Sequence, residues 1–281
     1  MSTFSANINL TDVRDQVVEI VKNVVIQSNV RNKNTGKVVS KHGEISGDVV
    51  TDTDFELQKL LQNSLFQLAP DALFLGEENY TLETDFTDKL FWIVDPLDGT
   101  LNYASGLPFY SVSVALVANG SPIIGVIYDI EHDVVFDAIK DGGARENNVL
   151  MHWDANLASK APVGASSGYI ARMLEKQKAQ KAANPIDIGS RYRIFGSQAV
   201  QLCWAAKGAL KLNINVEAKL WDDVAGSLIC LEAGANYMSV TTEKLYPLNP
   251  TSGAAQGGNL FSVAGDPQLT NEFIDEIRSN L

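Results

Sequence analysis

The sequence predicts an α/β protein whose first half is rich in antiparallel strands and whose second half alternates strand and helix. Three observations carry this. Phe91-Trp92-Ile93-Val94 is a run of large apolar residues of high β propensity that stops at Asp95, as a buried strand stops at a loop. Between Tyr110 and Ile139, turn signals at Asn119-Gly120-Ser121 and Glu131-His132 separate three strand-like segments, which reads as an antiparallel meander. From about residue 160 to the end, strand and helix patterns alternate.

In chain order, Thr11-Asp12 starts a helix whose Val13, Val17, Ile20, Val21, Val24 and Val25 fall on one face. Residues 31–48 are polar, with Gly36, Gly43 and Gly47, and read as a loop or exposed hairpin. Asp48, Asp52 and Asp54 precede a second amphipathic helix carrying Leu57, Leu60, Leu61 and Leu65, where Thr53 or Asp54 also suits a cap. Leu73-Phe74-Leu75 is a short strand delivering Glu77 and Glu78 at its end. After the meander, Gly142-Gly143 closes the first half. Strands are then expected at 161–166, 186–194, 209–216, 235–240 and 259–264, with helices at 169–183, 197–207, 222–233 and 267–280. The expected division is 1–150 and 151–281, two subregions of one body.

Composition narrows the function. The net charge of -12 and the lack of any Lys/Arg cluster argue against a nucleic-acid groove. No apolar run approaches a membrane span and Met1–Leu10 lacks a signal-peptide pattern, so a cytoplasmic protein is expected. Cys203 and Cys230 sit in apolar helical patterns and read as buried free thiols. His42, His132 and His152 show no metal-ligand spacing, which argues against zinc.

The chemistry concentrates at Asp95-Pro96-Leu97-Asp98-Gly99-Thr100. An ionised, unpaired Asp95 at a buried strand end would cost several kcal/mol, roughly, which a hard cation removes. Asp98 and the Leu97 carbonyl are placed to share that cation, and oxygen donors favour Mg²⁺ or Mn²⁺. Gly99 and Thr100 precede a short helix at Leu101, whose free amides favour an anion such as phosphate. The same residues also make an ordinary turn, and taken alone the two readings stand level. Asp222 falls in the first turn of its helix, where capping is the better reading by itself. Yet Glu77, Asp95, Asp98 and Asp222 all lie where an apolar segment ends or begins, the edge at which α/β ligand sites form.

Asp95 to Tyr103 with Trp92 to Val94 before it, preceded by Gly76-Glu77-Glu78 and by Asp48 to Asp54, and followed by Trp221-Asp222-Asp223-Val224-Ala225-Gly226 and Glu232-Ala233-Gly234, resembles the inositol monophosphatase family of metal-dependent, lithium-sensitive phosphatases. The likeness spans nearly the whole chain. It implies a layered αβαβα sandwich, with most metal ligands in 1–150 and the substrate shell and Asp222 in 151–281. It implies a first metal held by Glu77, Asp95 and the Leu97 carbonyl, a second by Asp95, Asp98 and Asp222, and a weaker third near Glu77 through water. Asp54 and Thr100 match the pair that activates the attacking water, and Gly99 and Thr100 the backbone donors to phosphate. Two or three Mg²⁺ ions and a homodimer follow from the same resemblance, while charge and the lack of an apolar span leave no nucleic-acid or membrane partner expected. The expected reaction is direct attack of metal-activated water on a small phosphomonoester, an inositol phosphate being the best match, with no covalent intermediate.

The second half departs from the pattern. Gly196-Ser197-Gln198 matches a family block, but Gln198 replaces a small residue beside the substrate. Seven residues before Asp222, where inositol-specific members carry an acid, stands Asn215, and the nearest acid is Glu217. Either Asn215 or Glu217 can serve that position. Arg191 and Arg193 are candidates for a second anionic group on the substrate or for surface ion pairs, and Lys41 for a lysine near the third metal. Fructose bisphosphate, nucleoside bisphosphate, histidinol phosphate and NADP remain alternative substrates, and a regulatory member with little turnover is the alternative class.

Overall fold

The computed structural model describes residues 9–32, 39–40, 49–79, 85–180, 191–239, 245–248 and 257–280. Five layers stack in the order helices, sheet, helices, sheet, helices.

The first layer is α1 (Leu10–Ser28) and α2 (Asp52–Leu68), separated in sequence by the short pair β1 (Val39–Ser40) and β2 (Val49–Val50). Val17, Val21 and Val24 of α1 and Leu57, Leu61 and Leu65 of α2 bury against one face of a seven-stranded sheet. That sheet runs in sequence order through β3 (Leu73–Gly76), β4 (Leu90–Asp98), β5 (Ser111–Ala118), β6 (Ser121–Asp129), β7 (Val134–Ile139), β8 (Gly143–Glu146) and β9 (Val149–Met151). Only β3 and β4 pair in parallel. Every residue of β4 is buried. Its alternating side chains send Trp92 and Val94 to α1 and α2, and Phe91 and Ile93 to the opposite face. Asp95 continues the second set.

A short helix α3 (Thr100–Ser105) lies between β4 and β5, and the second half adds α4 (Ala155–Ala158), β10 (Val163–Ala165), α5 (Ser167–Gln180), β11 (Tyr192–Arg193), α6 (Gln198–Ala206), β12 (Leu212–Ala218), α7 (Leu220–Glu232), β13 (Asn236–Ser239), β14 (Leu260–Gly265) and α8 (Pro267–Asn280). Helices α6 and α7 form the middle layer. Their Leu202, Val224 and Ile229 join Ile93, Ile127 and Phe136 of the first sheet and Leu260 and Ala264 of the second in one apolar cluster. The outer face of the second sheet, with Leu212, Ile214 and Val263, is covered by Tyr169 of α5 and Phe273 of α8.

Two local expectations are corrected. β4 does not stop at Asp95: it passes a bulge in which Asp95 faces Ser113 and Asp98 faces Ser111, so Pro96 and Leu97 oppose Val112 alone. The meander does not close at Gly142-Gly143, because β8 and β9 add another hairpin over Asn147 and Asn148, both at positive φ as a tight two-residue turn requires. The second sheet is mixed. β10, β11 and β12 are parallel, and β14 inserts antiparallel between β12 and β13. Of the strand expected at 186–194, residues 186–190 lie outside the described set and Tyr192–Arg193 is observed. Cys203 and Cys230 are buried and free. No helix among the described residues is long and apolar enough to cross a membrane.

Candidate active site

Four segments meet at the end of β4. The first turn of α2 supplies Asp54, whose Oδ2 accepts from the backbone and hydroxyl of Thr51 and so closes the helix start. Its other oxygen lies 2.9 Å from Thr100 Oγ1, which is also 2.9 Å from the Leu97 carbonyl. One hydroxyl proton therefore faces two acceptors, which fixes Thr100 across the bulge. Burial raises the Asp54 carboxyl above its ordinary value, against the hydrogen bonds from Thr51 and Thr100. Gly99, between Asp98 and α3, has φ +90, and a Cβ there would lie 2.7 Å from the Phe109 carbonyl. No L side chain fits this turn without strain.

Glu77, Asp95, Asp98 and Asp222 lie near enough to one another to repel. Asp95 is 2% exposed and accepts from Leu97 N at 2.9 Å. Burial, then the charges of Glu77, Asp98 and Asp222, push it well above the usual carboxylate range. Asp222 is raised in the same way by burial, Asp98 and Glu77, while its Oδ2 accepts from Lys219 N at 2.8 Å. The Lys219 ammonium does not neutralise it; it turns to Gly257 O and Asn259 Oδ1 at 3.1 and 2.7 Å. Asp98 is pushed up to about 6 by burial, opposed by its hydrogen bonds.

Asp98 has a second task that the sequence reading missed. It accepts from Ser197 Oγ, from Gln198 N at 3.1 Å and from Ala199 N at 2.9 Å, so it caps α6 from 99 residues away, and Ser111 Oγ adds a fourth donor at 3.2 Å. Asn102 Nδ2 reinforces the junction by donating to the carbonyls of Phe109 and Phe195 at 2.8 and 2.7 Å. Ser113 Oγ reaches Trp221 O at 3.2 Å and ties β5 to the turn that carries Asp222. Ser and Asn in a buried strand or a short helix were the available signal for these residues.

The donor chemistry fits a hard divalent cation. Glu77, Asp95, Asp98, Asp222 and the Leu97 carbonyl are all oxygen donors, and mutually repelling buried acids are relieved by a cation between them. Among the described residues, no three acids close into a tight cluster by themselves. Asp95 Oδ1 and Asp222 Oδ2 each accept from a backbone amide, and both oxygens of Asp98 accept from protein donors, Oδ1 from Gln198 N and Oδ2 from Ser197, Ala199 and Ser111.

Beside the acids lies a cavity of about 270 Å³ whose lining includes Asp98, Gly196, Gln198, Asn215, Glu217 and Asp222. Six predicted substrate-shell residues thus share one space. Gly99 and Thr100 sit at the neighbouring start of α3, and Ser197 is buried beneath, donating to Asp98. Gln198 does not project as a simple obstruction. Its Nε2 donates to Asp223 at 2.6 Å, and its Oε1 accepts from Asn213 and Asn215 at 3.0 and 2.8 Å. Arg191 and Arg193 are absent from this cavity; they line a separate one of about 390 Å³ with Lys160 and Lys211, at the opposite end of β10 and β12. The strand register explains it: Arg191 pairs beside Val163, at the start of β10, whereas the acids lie past its other end. The candidate Lys41 falls outside the described residues.

Comparison with known proteins agrees with this arrangement. The family profile described as "Inositol monophosphatase family" matches residues 9–278. Inositol-1-monophosphatase SuhB of Mycobacterium tuberculosis is 32% identical over 235 residues, covering 81% of this chain and 77% of that protein. Inositol monophosphatase 2 of Solanum lycopersicum is 36% identical over 215 residues, 69% and 77% of the two chains, and Nus factor SuhB of Pasteurella multocida is 30% identical over 235 residues, 83% and 84%. In fold, the Thermotoga maritima IMPase superposes with TM-score 0.75 at 23% identity, covering 96% of this chain and 98% of that one. A structure of an IMPase/NADP phosphatase with NADP and Ca²⁺ gives TM-score 0.76 at 20% identity, covering 97% of both chains. On sequence, layered fold and the order of its acidic segments, the chain belongs to the inositol monophosphatase family of phosphatases.

Proposed function

We propose that the chain is a Mg²⁺-dependent phosphomonoesterase whose metals are held by Glu77, Asp95, Asp98, Asp222 and the Leu97 carbonyl. The observation that carries this is the convergence of buried, mutually repelling carboxylates with the Thr100–Asp54 hydroxyl–carboxylate pair beside them. Bound divalent cations supply neutralisation of the phosphoryl oxygens and lower the pKa of water, the two requirements of phosphoryl transfer.

The protein's own groups do the rest. Asp54, held by Thr51, keeps the Thr100 hydroxyl oriented: the hydroxyl donates to the carboxylate and its oxygen accepts from the attacking water, whose proton passes through that hydroxyl to Asp54 as the hydroxyl gives its own. Backbone amides at Gly99 and Thr100, the start of α3, receive phosphate oxygens. Asp222 stands at the cavity end of the site, next to where a leaving alkoxide takes up its proton. A homodimer belongs to this reading, with light scattering as its check.

Phosphate release is measured from inositol 1-phosphate and a panel of other phosphomonoesters, with and without Mg²⁺ and Li⁺, with Asp95→Asn as control. Mg²⁺-dependent release that Asp95→Asn abolishes is expected. No release from any ester, with Mg²⁺ demonstrably bound, would sink the phosphatase reading in favour of a regulatory role, the second reading that the similarity to a Nus factor raises.

A further inference from the structure

Away from the acids, the second sheet gathers positive charge. β11, β10 and β12 run parallel and start in register, with Val163 beside Tyr192 on one side and Leu212 on the other. The residues just ahead of each strand therefore meet at one edge of the sheet. Backbone bonds fix them there, since Val163 N donates to Arg191 O at 3.2 Å and Lys211 N to Pro162 O at 2.8 Å. Arg191 and Arg193, two apart on an extended segment, share a face. Tyr192 between them turns to the other face and packs on Tyr169, the ring centroids 6.5 Å apart.

The result is the cavity of about 390 Å³ whose lining carries Lys160, Arg191, Arg193 and Lys211. These four cations share one concavity on a chain whose net charge is -12. Acids on the adjoining turns are engaged elsewhere. Asp154 accepts from Asn156 N and Leu157 N at 2.8 and 3.2 Å and so starts α4. Asp266, whose own N–H donates to Lys211 O at 2.9 Å, accepts from Gln268 N and Leu269 N at 2.9 and 3.0 Å and so starts α8. Arg193 gives Nη1 to Tyr192 O at 2.9 Å, which holds its guanidinium against the strand.

Like charges gathered in a concave space raise the local potential and draw in an anion of matching charge. Two guanidinium forks and two ammonium groups suit phosphate oxygens, and the volume is that of a small-molecule site. Four cations at one sheet edge match several phosphate groups on one small molecule better than the long backbone of a nucleic acid. A nucleotide base would want an aromatic face to stack on, and the ring between the two arginines is turned to the outer layer. We propose that this cavity is a binding site for a small anion carrying two or more phosphate groups. It lies at the opposite end of β10 and β12 from the substrate cavity, so both can be filled at once. Binding here does not require the phosphatase reading to hold.

The test is calorimetric titration of the full chain with inorganic tripolyphosphate, at low ionic strength and without added metal, where the buried acids of the active site repel the same anion. One tripolyphosphate per chain is expected to bind with Kd below about 1 mM. Orthophosphate is expected to bind about tenfold more weakly or worse, and added salt to weaken both, because the cations are largely exposed. Arg191→Gln combined with Arg193→Gln should weaken tripolyphosphate by about tenfold or more with Tm unchanged, and Lys160→Gln, a second surface variant, by about threefold. No binding up to about 1 mM, equal affinity for orthophosphate, or an affinity that survives both variants would overturn the proposal. So would a single-stranded oligonucleotide that binds more tightly than tripolyphosphate and is lost in the same variants, which would assign this face to a nucleic acid. Phosphate release from esters is read separately, so failure of either reading leaves the other standing.

Discussion

Gly125, in the middle of β6, touches no catalytic group, yet replacing it with Ala should disable the site. A Cβ there would lie 2.7 Å from the Ala225 carbonyl oxygen and 3.2 Å from its Cα, both backbone atoms of α7. An ordinary carbon–oxygen contact is about 3.3–3.6 Å, so α7 must withdraw by roughly 0.6 Å or more. The helix cannot do so freely, because Leu202 of α6 already crowds Gly226 on its other side. Overpacking of this kind costs about 1–3 kcal/mol. For a chain of this size that is a fall in Tm of roughly 2–4 °C per kcal/mol. Asp222 rides on the first turn of α7, and a displacement approaching 1 Å in a positioning element can cost about 10²-fold. We therefore expect Gly125→Ala to lose about 10- to 100-fold in kcat at saturating Mg²⁺ while remaining folded. Gly234→Ala is the control: it strains a backbone at φ +87 at the far end of α7 but meets nothing within 4 Å. It should lower Tm with activity retained. Full activity in Gly125→Ala at a lowered Tm would refute the claim that α7 packing sets the position of Asp222.

Other expectations follow from the same geometry. Asp95→Asn removes one of several repelling buried acids, so the metal-free protein should gain in Tm, while Mg²⁺ no longer raises Tm. An equal Mg²⁺ response in both proteins would refute this. In the metal-free wild type, burial holds Asp98 at about 6 against an ordinary 3.8, so the folded state keeps a proton that the unfolded chain has lost. Stability is thus fully present below the unfolded value and is lost as pH rises to the folded one; Tm should drop between about pH 4 and 6, and Mg²⁺ should reverse the drop. Thr100→Val removes the hydroxyl between Asp54 and Leu97 and should lower kcat by about 10²–10⁴-fold, with Thr100→Ser restoring most of it. Gly168→Ala would place a Cβ 2.3 Å from Glu217 Oε1 on the cavity wall, and the displaced carboxylate should change KM more than kcat.

The metal-side half of the site was legible because its residues announce themselves locally. Asp95, Asp98 and Glu77 each end an apolar run, and strand ends are set by patterns a few residues long. The bulge that extends β4 to Asp98 was not legible, since it depends on the register with Ser111 and Ser113 of a different strand. Nor was the fate of Arg191 and Arg193, which proximity to Gly196 in sequence places near the substrate but strand direction sends to the far end of the sheet. The hydrogen-bonded wall of Gln198, Asn213 and Asn215 was half visible: Gln198 and Asn215 stood out as departures, but only the packing of α6 on β12 joins them to each other and to Asn213.

The capture of Asp98 by the start of α6 has a consequence for how this molecule comes to be. One carboxylate closes a loop of 99 residues, and the entropy of that closure is lost before any of the bonds at Ser197, Gln198 and Ala199 is gained. Contacts of such long range form late and slow the search for the native state. A chain caught midway therefore holds its acids apart, on segments that have not yet met, and is chemically silent. Competence at this site is a readout of complete folding.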